Sequence, residues 1–211
     1  MLKSRIAVGS ACLFLTLTAL GACKSTSGKT GQLDLHTRIL IHESEMGSGK
    51  NLKVTVVDKR RHETLLKKDS DRKVKSGRAL VTMDYVPSEN LDSLFSMTAT
   101  EAFQMQGYRT DGTGTGTERE LTIYLTKLDL KLRKQLVTGE LPKIQARLRS
   151  QVKISAVNRD KRYGQEYEFF IKKTYNELPN KMDREKILNY GLTQLLYQIQ
   201  KDEKLKRFLT G

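Results

Sequence analysis

The 211 residues include only two cysteines and three prolines, and there is no tryptophan. Two thiols are too few for a disulfide scaffold or a multi-cysteine zinc module. Three Pro and 15 Gly exclude collagen-like and proline-rich chains. After residue 23 no apolar run is long enough to cross a bilayer as a helix. Acidic residues are in deficit: 24 Asp+Glu face 38 Lys+Arg, a formal charge of +14. With 37% hydrophobic residues the chain is polar, but not so depleted that it must be disordered throughout. The length suits one domain, since about 100–200 residues make one.

The first apolar run has a purpose of its own. Lys3 and Arg5 precede an uncharged stretch from Ile6 to Ala22, short for a membrane span and suited to a secretory signal. It closes in Leu20-Gly21-Ala22-Cys23, which resembles a bacterial lipobox. Small residues let the backbone enter a peptidase cleft, and the thiol can take a diacylglycerol. The resemblance implies cleavage before Cys23, then acylation of its sulfur and its new amino group, palmitate among the chains. Residues 1–22 are then a discarded signal and residues 23–32 the lipidated Cys with a Lys/Ser/Thr/Gly tether. Residues 33–211 form a single domain. Removing Lys3 and Arg5 lowers the charge from +14 to +12. Cys12 leaves with the signal, so export without disulfides is no contradiction. Lys24, not Asp, follows the Cys; in lipoproteins of enteric, Gram-negative type this implies the outer membrane, with the domain facing the periplasm.

Periodicity organises the rest. Leu33, Leu35, Ile39 and Ile41 share one parity and predict a first strand; Leu52 to Val57 predicts a second. Residues 58–78 are charge-rich and read as an exposed loop or weak hairpin, and residues 79–85 as a further short strand. Ser88 is a candidate N-cap for a helix with Leu91, Leu94, Phe95, Thr98, Ala102 and Met105 on one face. Gly107 suits the left-handed residue after that helix, with Tyr108 as its apolar contact. Leu121, Ile123 and Leu125 are odd, whereas Leu128, Leu130 and Leu132 are even, so a β-bulge is expected near Thr126-Lys127. Alternation from Ile144 to Ala156 predicts a half-buried antiparallel strand. Asn158 to Arg162 turns, and Tyr163, Tyr167, Phe169 and Ile171 continue the sheet. Asn180, with Asp183 at N3, opens a last helix striped by Ile187, Leu188, Leu192, Leu195, Leu196 and Ile199. The order ββ(β)-α-β-β-β-α predicts a two-layer α+β fold, a mostly antiparallel sheet packed by two amphipathic helices.

Catalytic and cofactor motifs fall short. Ser44 to Asn51 ends like a phosphate loop, but Ser44 and Asn51 stand where Gly and Ser/Thr are needed, so a turn is expected. Gly112-Thr-Gly-Thr-Gly116 precedes a strand, whereas a dinucleotide loop follows one and opens a helix. His36 and His42 sit roughly 20 Å apart along an extended chain and cannot share a metal; His62 completes the histidines. No nucleophile–base signature occurs. No enzyme, cofactor or metal is expected.

Charge offers the remaining lead. Lys131, Arg133, Lys143, Arg147, Arg149, Lys153 and Lys172 oppose the apolar parity of their strands and predict one basic sheet face, with Asp129 and Glu168 as its acids. Such a face either keeps the domain soluble or binds anionic envelope material: lipopolysaccharide, phospholipid headgroups or an acidic protein. Nucleic acid is not expected outside the cytoplasm.

These features resemble the YajG family of bacterial lipoproteins over roughly residues 37–209. The resemblance rests on the lipobox, Leu52 to Asp58, the helix ending in Ala102 to Tyr108, the strands around Leu121–Leu130 and Arg147–Val157, and the close in Lys206-Arg-Phe-Leu209. It implies an outer-membrane lipoprotein with an α+β domain, no established enzymatic activity, and no site residue except Cys23. The charged stretch 60–78 and the higher positive charge depart from the family pattern. The expectation is thus a non-enzymatic, lipid-anchored binding or scaffold domain. The alternative is an accessory factor in lipopolysaccharide or outer-membrane assembly, LptE-like, although Cys23 here runs into Lys-Ser-Thr-Ser rather than an apolar strand. An envelope hydrolase would need a shifted carboxylate pair that no spacing singles out.

Overall fold

A computed structural model describes residues 35–60, 91–110, 119–135, 141 and 143–211. The signal, Cys23, the tether, His62, most of the charged stretch, the strand expected at 79–85, the Ser88 cap and the glycine-threonine loop lie outside the described residues.

Four strands form one sheet in sequence order: β1 (Lys53–Asp58), β2 (Arg119–Gln135), β3 (Lys143–Asn158) and β4 (Lys161–Tyr175). β1 pairs with β2 in parallel, and β2–β3 and β3–β4 are antiparallel. A parallel pair needs a long crossover, and α1 (Leu91–Gln104) lies within it. After β4 the chain returns as α2 (Lys181–Lys201) and α3 (Glu203–Thr210). The class is α+β, as expected. Among the described residues three helices stand where two were expected, because Asp202 ends α2 and caps α3.

Alternation makes one sheet face apolar. Leu121, Ile123, Leu125, Leu128, Leu130 and Leu132 of β2 are buried with Ala146, Leu148, Val152, Ile154 and Ala156 of β3. Phe95, Ala99 and Phe103 of α1 and Leu188, Leu192, Leu195 and Leu196 of α2 close over them. Each fully buried side chain of this size contributes about 1.5–3 kcal/mol. The β2–β3 register shifts between Leu125 and Lys127, which is the expected bulge; the extra residue keeps both leucine series on the core face. Asn180 and Asp183 form the expected capping box, with Asp183 N–H donating to Asn180 Oδ1 at 2.9 Å.

The strand expected around Leu35–Ile41 is not a strand. The segment is extended, and Leu35 is buried with Ile39 packed beside the core. Its backbone bonds to helix side chains instead: His36 N–H donates to Asn189 Oδ1 at 2.7 Å and Arg38 N–H to Thr193 Oγ1 at 3.0 Å. Period-two burial reports an extended chain with one covered side, whether the cover is a strand or a helix.

Candidate functional site

The turn Arg159–Asp160 sets the geometry of the wet face. It pairs Asn158 with Lys161 and thereby fixes every β3–β4 row. Arg159 takes φ 52, the left-handed conformation a two-residue hairpin needs. On the solvent side, β2, β3 and β4 then meet in successive rows. Arg133, Gln145 and Thr174 form one; Lys131, Arg147 and Lys172 the next; Asp129, Arg149 and Phe170 a third; and Lys127, Gln151 and Glu168 a fourth. Beyond the bulge come Tyr124, Lys153 and Glu166.

This register divides the cations expected to act together. Lys131, Arg147 and Lys172 stand side by side on three strands, with Arg133 one row further and Lys143 near the strand ends. Arg149 and Lys153 belong instead to a mixed-charge zone. Arg149 is paired with Glu168 and lies opposite Asp129, and Lys153 lies opposite Glu166. The hydrogen bond from Arg149, aided by its charge, holds the Glu168 carboxyl below the usual carboxylate range. Glu166 accepts from Gln151 Nε2. One continuous basic face is thus reduced to a basic end. The sequence reading missed Glu166, and it missed Phe170, which is 49% exposed beside this end with Lys172 Nζ 5.2 Å from its ring centre. A two-residue turn at Arg159–Asp160 was the signal that could have placed both.

Facing side chains on neighbouring strands lie about 5 Å apart, and like charges so placed repel. The Arg147 guanidinium is held along its own strand by a hydrogen bond from Nε to Gln145 Oε1. Lys131, Arg133 and Lys172 are exposed, and Arg147 and Lys143 are half-buried. A ligand with several anionic oxygens would neutralise adjacent cations of the row together, which a monovalent counterion cannot do.

The other candidates resolve into structure. The glycine turn after Ser44 docks on the end of α1. Ser44, Gly47 and Gly49 N–H groups donate to the Met105, Gln106 and Gly107 carbonyls at 2.7–2.8 Å. Those donors are unavailable to cradle a phosphate. A Cβ on Gly47 would sit 2.5 Å from Tyr108 N, so only glycine allows this approach. Gly107 takes φ 84, and Tyr108 N–H bonds Phe103 O at 3.2 Å while their rings meet edge to face, as the sequence predicts for this helix end.

A polar cluster the sequence reading did not find joins Tyr163, Tyr167 and Asp202. Both hydroxyls donate to Asp202 Oδ2, at 2.8 and 2.6 Å, while Oδ1 caps α3 through Lys204 and Leu205 N–H. Burial opposes ionisation of Asp202. Hydrogen bonds from Tyr167, Tyr163 and the two amides outweigh it and pull the carboxyl below its ordinary value. Burial and the carboxylate push Tyr163 up to about 12 and raise Tyr167 further. A general base at neutral pH needs a raised carboxyl and a free lone pair; Asp202 has neither, and its geometry is that of a cap. Among the described residues no group of three or more His, Cys, Asp or Glu could hold a metal, and no helix is long and apolar enough to cross a membrane.

The model of a family described as uncharacterized lipoproteins matches residues 38–210. The chain belongs to that family. The resemblance to the YajG-type lipoproteins is thereby established, and with it a membrane-anchored envelope protein. No curated protein matches the sequence. Among solved structures, a Helicobacter pylori neuraminyllactose-binding hemagglutinin homolog is 9% identical, covering 85% of this chain and 96% of its own at a TM-score of 0.44. A Xanthomonas campestris protein of the DUF330 family model is 9% identical, covering 84% and 94%, at 0.42. A minor lipoprotein from Acinetobacter baumannii is 14% identical, covering 76% and 96%, at 0.35. At these scores the likenesses carry no argument about the site.

Proposed function

We propose that this lipoprotein is a non-enzymatic binding module, acylated at Cys23 and held at the outer membrane with its domain in the periplasm. Its binding surface for anionic envelope material is the basic end of the sheet. One observation carries the reading: Lys131, Arg147 and Lys172 stand in a single cross-strand row without a carboxylate in that row. Like-charge rows cost stability, and an anion offsets that cost. Arg133 stands in the next row and Lys143 nearer the strand ends, opposite Gln135. Arg149, already ion-paired with Glu168, and Lys153, opposite Glu166, contribute little.

The test has two arms. Cys23→Ala should leave unprocessed chain and move the protein out of the membrane fraction. Cross-linked capture from intact cells should recover a partner whose yield falls with Arg147→Glu but not with Lys153→Glu. Membrane retention of Cys23→Ala with normal processing would remove the anchor. Equal losses from both charge reversals would remove the row.

A further inference from the structure

We infer that the partner of the basic end is the anionic phospholipid surface into which the chain is anchored, so that the domain stands on the membrane by this end. The inference rests on the lipid-anchored reading and adds an orientation to it.

Three independent features meet there. The first is apolar exposure. Leu141, in the connection between β2 and β3, is 86% exposed; Leu178 and Met182, flanking the start of α2, are 49% and 60% exposed. Exposed large apolar side chains gathered beside cations are what an interfacial surface needs, whereas scattered ones mean nothing. The opposite end, around Arg159–Asp160 and Asp202, has cations too, with Arg159, Lys161 and Arg162 exposed.

The second is charge. Lys131, Arg133, Arg147, Lys172 and Lys173 lie on the strand segments that end here. Among the described residues that follow β4 into α2, the acids are Glu177, Asp183 and Glu185. Asp183 is engaged in the capping box and Glu185 is paired with Lys181 at 3.6 Å. A basic residue near an anionic leaflet strengthens attachment roughly fivefold.

The third is the path of the chain. Arg38 bonds Thr193 and His36 bonds Asn189, so towards its N-terminus the chain runs towards the start of α2. The described chain therefore leads from the anchor side into the domain along the same end. Leu35 follows Cys23 by twelve positions, with eleven residues between them. A chain of that length reaches at most about 40 Å. That length holds the domain within reach of the leaflet and makes docking an intramolecular event.

The experiment uses the full, processed protein reconstituted in vesicles. Cys23 is blocked by its lipid, so a thiol introduced by Leu178→Cys is a unique labelling site, and Asp160→Cys is its control at the other end. The probe is a polarity-sensitive fluorophore, with brominated lipids as quenchers. In vesicles containing phosphatidylglycerol, quenching is expected at 178 and not at 160. It should fall several-fold in pure phosphatidylcholine, in high salt, and in Arg147→Glu/Lys172→Glu. Equal quenching at the two positions, none at 178, or equal quenching in neutral and anionic vesicles would overturn the inference. So would preferential binding to lipopolysaccharide. Intact mass separates the two failures. A chain lacking acyl groups overturns the anchor, and its co-sedimentation with phosphatidylglycerol vesicles then decides the docking end: sedimentation lost in the double reversal supports it, and no sedimentation overturns it.

Discussion

The two ends of the β2–β3–β4 sheet treat their polar groups in opposite ways. At the turn end Asn158, Arg119, Tyr163 and Tyr167 are tied to the C-terminal helix or its cap. Asp202 caps the start of α3 and accepts from Tyr163 and Tyr167. At the finish of α3 three carbonyls are satisfied from the strands and the glycine turn: Phe208 O by Asn158 Nδ2 at 2.6 Å, Leu209 O by Arg119 Nε at 2.7 Å, and Thr210 O by Lys50 Nζ. Two of these donors are cations, placed where the helix dipole favours them. At the other end Lys131, Arg147 and Lys172 oppose one another, and Leu141, Leu178 and Met182 are exposed. One end is built to hold the fold; the other keeps surface available at a cost in stability.

The largest expected effect breaks the turn end. Asp202→Ala removes a cap and leaves two tyrosine hydroxyls without their acceptor. A loss of about 2–4 kcal/mol in urea unfolding is expected, from roughly 1 for the cap and about 1 or more for each bond to the carboxylate. Asp202→Asn, which keeps an oxygen for the cap, should lose less. A loss under about 0.5 kcal/mol would mean the cluster forms without holding α3.

The pH profile reads the same cluster. Asp202 has a folded pKa below its unfolded one, so its stabilisation is present above the unfolded value and is lost as pH falls through the folded value. Tyr163 is raised to about 12, so its contribution is present below about 10 and is lost as pH climbs from 10 to 12. Stability should fall on both flanks. In Asp202→Ala the acid flank should flatten and the alkaline flank should weaken. A mutant profile that parallels the native one would separate the titration from this cluster.

A middle-sized effect is expected at Arg119, which is 7% exposed with its guanidinium on the Leu209 carbonyl. Arg119→Met keeps most of the volume and removes the donor. About 1–3 kcal/mol should be lost, and proteolysis should begin at the C-terminus.

Local patterns carried most of the fold into the sequence. The bulge followed from a parity slip between Leu125 and Leu128, the α2 cap from Asn180 and Asp183, and the end of α1 from Gly107-Tyr108. Each is set by neighbours in the chain. What went unread depends on partners distant in sequence. Leu35 to Ile41 has a strand's parity but lies on α2, and parity does not name the cover. Asp202 sits between the apolar stripe ending at Ile199 and the apolar Leu205, Phe208 and Leu209; its partners Tyr163 and Tyr167, 35 or more residues away, show why the helix restarts there. The basic face was legible as a parity and not as a register. Parity selects the side of the sheet, whereas the turn decides that Arg149 reaches Glu168 on the diagonal while Arg147 stands opposite Lys172.

The smallest effect separates the two ends most sharply. Lys172→Glu places a carboxylate directly opposite Arg147 and removes one member of the like-charge row. Cross-strand pairs of opposite sign contribute about 0.2–1 kcal/mol, and like pairs cost a similar amount. The variant should therefore unfold at slightly higher urea than the native protein, by up to about 1 kcal/mol, while vesicle docking through this end weakens several-fold. A substitution that stabilises the fold and weakens binding is the signature expected where surface charge serves a partner rather than the fold. Loss of stability in Lys172→Glu would instead make the cation row part of the scaffold. Unchanged docking would place the contact among Leu141, Leu178 and Met182 alone.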